Sequence, residues 1–256
     1  MTSALFGASG FVGSNLAAAG DFDEHYGSAN SREAIGREFG LVVFAAARAE
    51  KWRINQDPES DLAHIRDLEE LVAGVRADRF VLVSTVDVYG NPVGVDETTV
   101  IPTEGLHPYG LHRLQLESFV REHHPEALIV RLPGLFGPGL KKNVIYDLLH
   151  DNNVDRIHRA GSFQYYNVAR LWHDLGTAHD AGLRLVNLSS PPLRTDEIAR
   201  VAFGIDFDNE PEGVKPGSYD VRSVHADAFG GVDGYTFSRE QTLADLVEFV
   251  AAERAR

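Results

Sequence analysis

The chain has 256 residues, 43% of them hydrophobic, enough for one large core or for one domain with a small appendage. A formal net charge of −14 disfavours nonspecific binding to nucleic acid or to an anionic membrane, so neither is expected as a partner. There is no cysteine, which excludes disulfides, thiolate metal sites and cysteine nucleophiles, and no metal site is expected. No apolar run approaches the roughly 18 residues of a membrane span, and Met1 to Phe6 leads straight into a strand without a signal-peptide pattern, so cytoplasmic residence is the default expectation.

Ser3 to Phe6 is a short apolar run ending in Gly7 and reads as a buried first strand. A helix follows over Gly10 to Ala19, then a weak strand over Asp23 to Gly27 and a short polar helix opened by Ser31. Gly40 to Ala46 reads as a strong buried strand. From Pro58, Leu62, Ile65, Leu68, Leu71, Val72 and Val75 recur at helical spacing. Phe80 to Ser84 is the next strand, and a long loop over Asn91 to Pro108 precedes a helix carrying Tyr109. Ala127 to Leu132 is a further strand, with helical patterns over Asn143 to His150 and Val168 to Ala181. Leu183 to Leu188 reads as a late strand returning to the main sheet, with closing helices over Thr195 to Phe203 and Ser238 to Arg254. Strands alternating with helices imply an α/β, doubly wound parallel sheet of Rossmann type. The expected division is a dinucleotide-binding domain over residues 1–135, completed by about 167–190, with a small interleaved C-terminal substrate lobe over 136–166 and 191–256.

Gly7, Gly10 and Gly13 fall where the first strand hands over to the first helix. The first permits a tight turn, the second a close approach of backbone to a pyrophosphate, and the third close packing of helix on sheet. With Phe11 and Val12 in the helix's first turn, free N–H groups and the positive end of the dipole face the phosphates. A carboxylate roughly 20 residues after the glycines often grips the adenosine ribose of NAD. The segment Gly27 to Arg32 offers none, only small polar residues such as Asn30 and Ser31 and then Arg32, which can meet a 2′-phosphate. The cofactor is therefore read as NAD(P), leaning to NADP; alternatively Ser31 caps a helix and Arg32 is solvated.

Tyr109 and Arg113 stand four residues apart, on one helix face. A cation fixed beside a phenol brings its ionisation nearer neutral pH, which suits an acid/base acting on a carbonyl or carbinol.

Together these segments resemble the extended branch of the short-chain dehydrogenase/reductase superfamily, the NAD-dependent epimerases and dehydratases. The resemblance rests on the glycine loop, Phe44-Ala45-Ala46-Ala47, Val83-Ser84-Thr85-Val86-Asp87-Val88-Tyr89-Gly90, Tyr109 with its helix, and Arg131 to Gly139, in the family's order. The short stretch between the glycine loop and Ala45 looks most like the dTDP-4-dehydrorhamnose reductase type. The resemblance implies Tyr109 as catalytic acid/base and Thr85 as the hydroxyl on the reacting oxygen. It implies Ala45 and Ala46 along the cofactor path and Pro133 beside the nicotinamide.

Three positions depart from that pattern. The family's lysine, which binds the nicotinamide ribose and lowers the tyrosine pKa, is Arg113, which keeps the charge but cannot relay a proton. Lys51, one of only four lysines, is a distant substitute. Asp61 stands where the helix commonly carries an asparagine. Asp87 matches in position the glutamate that abstracts a proton in the dehydratases, and it reads either as that base or as a loop anchor.

On the substrate side the resemblance implies a nucleotide sugar, with Asn143 at a helix start as a diphosphate ligand; the arginine it implies next is replaced by Phe163, and Arg222 is the candidate substitute. The expected function is an NAD(P)-dependent oxidoreductase, epimerase or dehydratase acting on a sugar-like carbinol or ketone. The alternative is a noncatalytic NAD(P)-binding sensor or scaffold with a degenerate Tyr–Arg pair. Apolar surface on the Tyr109 helix (Leu111, Leu114, Leu116, Phe119 and Val120) leads to the expectation of a homodimer.

Overall fold

Six strands, most of them built on short apolar runs, form one sheet. In the computed structural model, which describes residues 1–256, the strands lie in the order Leu185–Asn187, Leu128–Leu132, Arg76–Thr85, Glu38–Phe44, Ser3–Phe6, Glu24–Tyr26. Ser3–Phe6 pairs in parallel with both flanking strands, and Glu38–Phe44 pairs in parallel with Arg76–Thr85. Side chains alternate between the faces of a strand. Ala4, Phe6, Val42, Phe44, Phe80, Leu82 and Ile129 share one face and pack with Ile65, Leu68, Val72, Leu116 and Val120 of two helices. The intervening Leu5, Val43 and Val130 are buried as well, so both faces are covered, which explains why these strands read as unbroken apolar runs. Full burial of one such side chain contributes about 1.5–3 kcal/mol. The late Leu185–Asn187 strand joins this sheet at its edge, as its sequence pattern suggested.

The two long helices over the sheet start where the sequence provides caps. Asp57 accepts from the Ser60 N–H at 3.2 Å and Pro58 occupies the first turn of Pro58–Gly74. His107 caps Pro108–His123 by accepting from the Gly110 N–H at 2.9 Å. These two helices pack on each other, and Leu116 and Val120 are spent on the core beneath them. The Phe11–Ala19 helix lies against Leu171–Asp180; the Trp172 ring approaches so closely that a Cβ at Gly20 would lie 2.8 Å from it. A short helix, Lys51–Gln56, was not anticipated. It is too short to show periodicity, and it leaves Trp52 64% exposed.

Backbone contacts divide the chain into two units: residues 1–91, 99–131 and 171–186, and residues 92–98, 132–170 and 187–256. The sheet and its five helices make up the first, with the C-terminal ends of two sheet strands crossing its limits. The second has its own core of Phe136, Ile145, Leu193, Ile198, Phe203, Leu246 and Phe249. Part of the long loop belongs there, because Val93–Val95 pairs with Asp220–Val221. Gln164, 1% exposed, accepts from the Val221 N–H and donates to the Ser190 and Val221 carbonyls. Ser238 closes a capping box with Gln241 at the start of Arg239–Arg254. No helix is long and apolar enough to cross a membrane.

Candidate active site

The first strand sits between the second and third, so the sheet changes its direction of growth there. In open α/β sheets, ligands bind at such a switch point, outside the carboxyl ends of the strands. The glycine loop and Ala45 meet at this place. Gly7 has φ +83°, and a Cβ on it would lie 2.3 Å from the Ala45 carbonyl oxygen. A Cβ on Gly13 would lie 2.0 Å from the Gly7 oxygen. These two glycines are demanded by the chain's own packing. Gly10 is different: it is exposed, and its nearest obstacle is the Gly7 oxygen at 3.3 Å. The Phe11–Ala19 helix carries no side-chain cap and no carboxylate in its first turn. The loop therefore offers an open approach to a helix N-terminus, which fits a pyrophosphate.

Beyond Tyr26, Asn30 is consumed locally: its Oδ1 accepts from the Gly27 N–H at 2.8 Å and its amide donates to the His25 carbonyl at 3.1 Å. Ser31 opens a 3-10 turn without capping it through its side chain. Arg32 is exposed and pairs with Glu70 at 3.1 Å and Asp67 at 3.4 Å, contacts that such exposure makes weak.

Tyr109, Arg113 and Glu117 form a buried polar stripe at four-residue spacing on the Pro108–His123 helix. Glu117 takes a bidentate pair from Arg131 at 2.9 and 2.6 Å and a hydrogen bond from Ser84 at 2.6 Å, tying the helix to two central strands. Arg131 also donates to the Tyr89 hydroxyl at 2.8 Å. Arg113 donates to both oxygens of Asp61, at 3.0 and 3.1 Å, and to the Arg48 carbonyl, while its Nε is buried without a partner. His112 reaches Asp61 at 2.8 Å. Burial pushes the Asp61 carboxyl up, but the Arg113 hydrogen bonds and charge, with His112, bring it net below its usual range. The two departures at 61 and 113 are thus one exchange. An aspartate and an arginine form a closed ion pair where the resemblance implies an asparagine and a lysine.

The guanidinium of Arg113 lies over the Tyr109 ring, 4.8 Å from its centroid. Tyr109 is 6% exposed, and the Asn55 side chain accepts from its backbone N–H at 3.0 Å. The Thr85 hydroxyl, which acts on the phenol's ionisation, accepts from the Asp87 N–H at 3.1 Å. Burial raises the phenol pKa; the Arg113 charge opposes it, Asp87 adds to it, and the Thr85 hydroxyl and Lys51 lower it, with a net rise. Lys51 donates to Asp87 at 2.6 Å. Burial and then Lys51 lower the His107 pKa against Asp87, so this imidazole is neutral, with its proton on Nε2 because Nδ1 accepts the Gly110 N–H.

The structure therefore gathers Thr85, Asp87, Tyr109 and Arg113, and adds Lys51, Asn55 and His107. Sequence reasoning passed over Asn55 and His107 and held Lys51 distant. The only signal for this trio was polar side chains in the turn after the third strand and immediately before Pro108. Asn143, Arg222 and Pro133 belong to the second unit. Asn143 caps Val144–His150 at φ 118°, accepting from the Ile145 and Tyr146 N–H groups and donating to the Leu135 carbonyl at 2.7 Å. Arg222 is half-exposed, paired with Asp220 at 3.3 Å and over the Tyr235 ring at 5.4 Å. Tyr165 and Tyr166 are buried, so they pack a core.

Three solved structures share the fold across nearly the whole of both chains. A dTDP-4-dehydrorhamnose reductase from Clostridium acetobutylicum is 16% identical with a TM-score of 0.75, covering 99% of this chain and 100% of its own. MoeE5 in complex with UDP-glucose and NAD is 17% identical with a TM-score of 0.75, covering 99% of each chain. RMD from Pseudomonas aeruginosa, complexed with NADPH, is 17% identical with a TM-score of 0.73, covering 99% of this chain and 100% of its own. No curated protein sequence matches the chain at a significant level. The family model of the NAD dependent epimerase/dehydratase family matches residues 27–183, more than half of the chain. The chain therefore belongs to the NAD dependent epimerase/dehydratase family.

Proposed function

We propose that the protein is an NAD(P)-dependent oxidoreductase acting on a ketone or carbinol of a nucleotide-activated sugar. The observation that carries this reading is the Tyr109 phenol, buried under the Arg113 guanidinium and influenced by the Thr85 hydroxyl at the end of a central strand. A bound nicotinamide supplies or accepts the hydride. Tyr109 gives its proton to the substrate oxygen, or takes it in the reverse direction, and Thr85 orients that oxygen. Gly7, Gly10, Phe11, Val12 and Gly13 take the pyrophosphate, with Ala45, Ala46, Arg113 and Pro133 along the remaining cofactor path. Asn143 and Arg222 take the substrate diphosphate. Arg222 exchanges an exposed pair with Asp220 to do so, while Asn143 already spends its side chain on its own helix. Among solved relatives of the fold, complexes with UDP-glucose and NAD and with NADPH support the substrate and cofactor classes.

Simple oxidation or reduction is favoured over dehydration because Asp87, the candidate dehydratase base, is held by the Lys51 ammonium at 2.6 Å. The test is a panel of UDP- and dTDP-sugars and their 4-keto derivatives, each with NADH and NADPH, followed by nicotinamide absorbance. Cofactor oxidation with a keto sugar is the expected result; its absence throughout the panel, with cofactor binding intact, leaves the noncatalytic sensor or scaffold, a reading the closed Arg113–Asp61 pair favours.

NADP is the preferred cofactor in this proposal, with Arg32 and the small polar Asn30–Ser31 turn receiving the 2′-phosphate. Calorimetric titration is expected to show tighter binding of NADP than of NAD, and Arg32→Ala to abolish the difference. Equal affinities in the parent protein would reject the assignment. Gly10→Ala is expected to fold with a loss within about 1 kcal/mol, the new methyl pressing on the Gly7 oxygen at 3.3 Å, and to bind cofactor poorly because the same methyl meets the ligand. Gly13→Ala is expected to lose stability outright through its backbone clash. A thermal melt paired with a cofactor titration separates the two. We also assign the chain to the cytoplasm and to a homodimer built on the Pro58–Gly74 and Pro108–His123 helices, the latter checked by light scattering.

A further inference from the structure

We infer that His107 is the positioning residue of Tyr109: its imidazole closes the turn that carries the phenol, only the uncharged ring can do so, and the acid limit of activity is therefore set by this side chain. The inference rests on the reading of Tyr109 as acid/base given above. The first N–H groups of a helix have no partner within it. Pro108, in the first position, has none to satisfy. The Tyr109 N–H donates to the Asn55 side chain at 3.0 Å, the Gly110 N–H to His107 Nδ1 at 2.9 Å, and the Leu111 N–H to the His107 carbonyl at 3.0 Å. Tyr109 thus lies inside the loop that the imidazole closes on Gly110. The imidazole is nearly parallel to the phenol ring, with centroids 6.3 Å apart and planes 20° apart. Gly110 leaves no room for a side chain: a Cβ there would lie 2.3 Å from the Asp87 carbonyl oxygen and 3.0 Å from His107 Cε1. The imidazole, the start of the helix and the turn after Thr85 therefore meet at one point. Loss of the bond from Gly110 to the imidazole frees the seat of Tyr109 against that turn.

Helix caps are ordinarily Ser, Thr, Asp or Asn, whose oxygens accept throughout the neutral range. An imidazole accepts only through an unprotonated nitrogen. Once charged, it carries N–H on both nitrogens, meets the Gly110 N–H donor to donor, and adds a positive charge at the positive end of the helix dipole. The titratable groups that face it are Lys51 on the short helix, Asp87 on the strand-end turn and, on its own helix, the Tyr109 phenol. Burial and then Lys51 hold the imidazole below its ordinary value of 6.5, against the pull of Asp87. The folded value is lower than the unfolded one. The cap's contribution is therefore fully present above the unfolded value of 6.5 and is lost as pH falls through the folded one. Asp61 acts in a separate range, because a carboxylate of its kind protonates near about 3.9 or below.

The test follows the Gly110 amide and the His107 ring by NMR from about pH 8 to about pH 5, in the protein without added ligand. The amide is expected to shift, and to lose protection against hydrogen exchange, with the midpoint of the His107 ring. His107→Asn caps without a titrating group and should leave that amide flat over the same range. Burial holds His64 and His124 uncharged as well, so this variant is what assigns the effect to His107. A Gly110 amide indifferent to the His107 titration would overturn the inference, and so would a His107 ring that stays uncharged until the protein unfolds. With a keto sugar from the panel above, kcat of the parent should fall at least about tenfold over this range while KM moves less, as expected when a reacting group is misplaced. His107→Asn should remove that acid limb, whatever its plateau rate; equal acid limbs in the two proteins would also overturn the inference. The NMR measurement needs no turnover, so it stands or falls apart from the assignment of Tyr109, which Tyr109→Phe tests.

Discussion

Tyr109→Phe is expected to reduce turnover by about 10²–10⁴-fold, the range that a positioned general acid or base contributes. The substitution removes one oxygen from a ring that is 6% exposed and already packed under the Arg113 guanidinium. No cavity forms and the Asn55 contact to the backbone persists, so the thermal midpoint should move little. Cofactor affinity is expected to stay within about twofold, because the binding glycines and the helix N-terminus are untouched. The measurement pairs steady-state rates on the best keto sugar with a calorimetric cofactor titration. Turnover surviving at the parent level would remove Tyr109 from the chemistry. Thr85→Val should act in the same direction with a smaller loss, since it deletes a group that orients the oxygen without deleting the proton donor.

The second large effect concerns stability. Asp61→Ala is expected to cost about 3–5 kcal/mol in denaturant unfolding, because it leaves the buried Arg113 charge without its partner. Asp61 is 2% exposed and Arg113 3%, so water cannot take over the lost contacts. Arg113→Lys alone trades a two-point pair for a point charge and should destabilise less. The double variant Asp61→Asn with Arg113→Lys is expected to recover more stability than the two single effects sum to, giving a coupling of about 0.5–3 kcal/mol. Additive losses would show that the two positions are independent. The same pair sets a pH dependence. The Asp61 carboxyl lies lower in the folded chain than unfolded, so its contribution is fully present above the unfolded value near 3.9 and is lost as pH falls through the folded one. Asp61→Asn should flatten the acid limb of the stability profile.

The alternation of apolar strands and helices was legible because the central strands are buried on both faces and the helices carry a periodic stripe. The glycine loop was legible because backbone sterics leave few residues for those places. The partnership of Asp61 with Arg113 was not, since 52 residues separate them and each looks like an isolated departure from a pattern. Lys51 was set aside as distant because its helix has six residues, too few to reveal a face. Arg32 looked solvated or phosphate-binding; its contacts to Asp67 and Glu70 cross from a turn to a helix, and no local spacing announces them.

The exposed indole of Trp52 has a practical consequence. The chain has two tryptophans, and Trp172 is packed edge-on against Phe22 at 5.0 Å. With Trp172→Phe, all indole emission arises from the helix that carries Lys51 and Asn55. Tryptophan emits where reduced nicotinamide absorbs, so docking of the cofactor should register as quenched emission and transferred light. The protein thus holds an optical gauge of its own site, readable before any substrate is known.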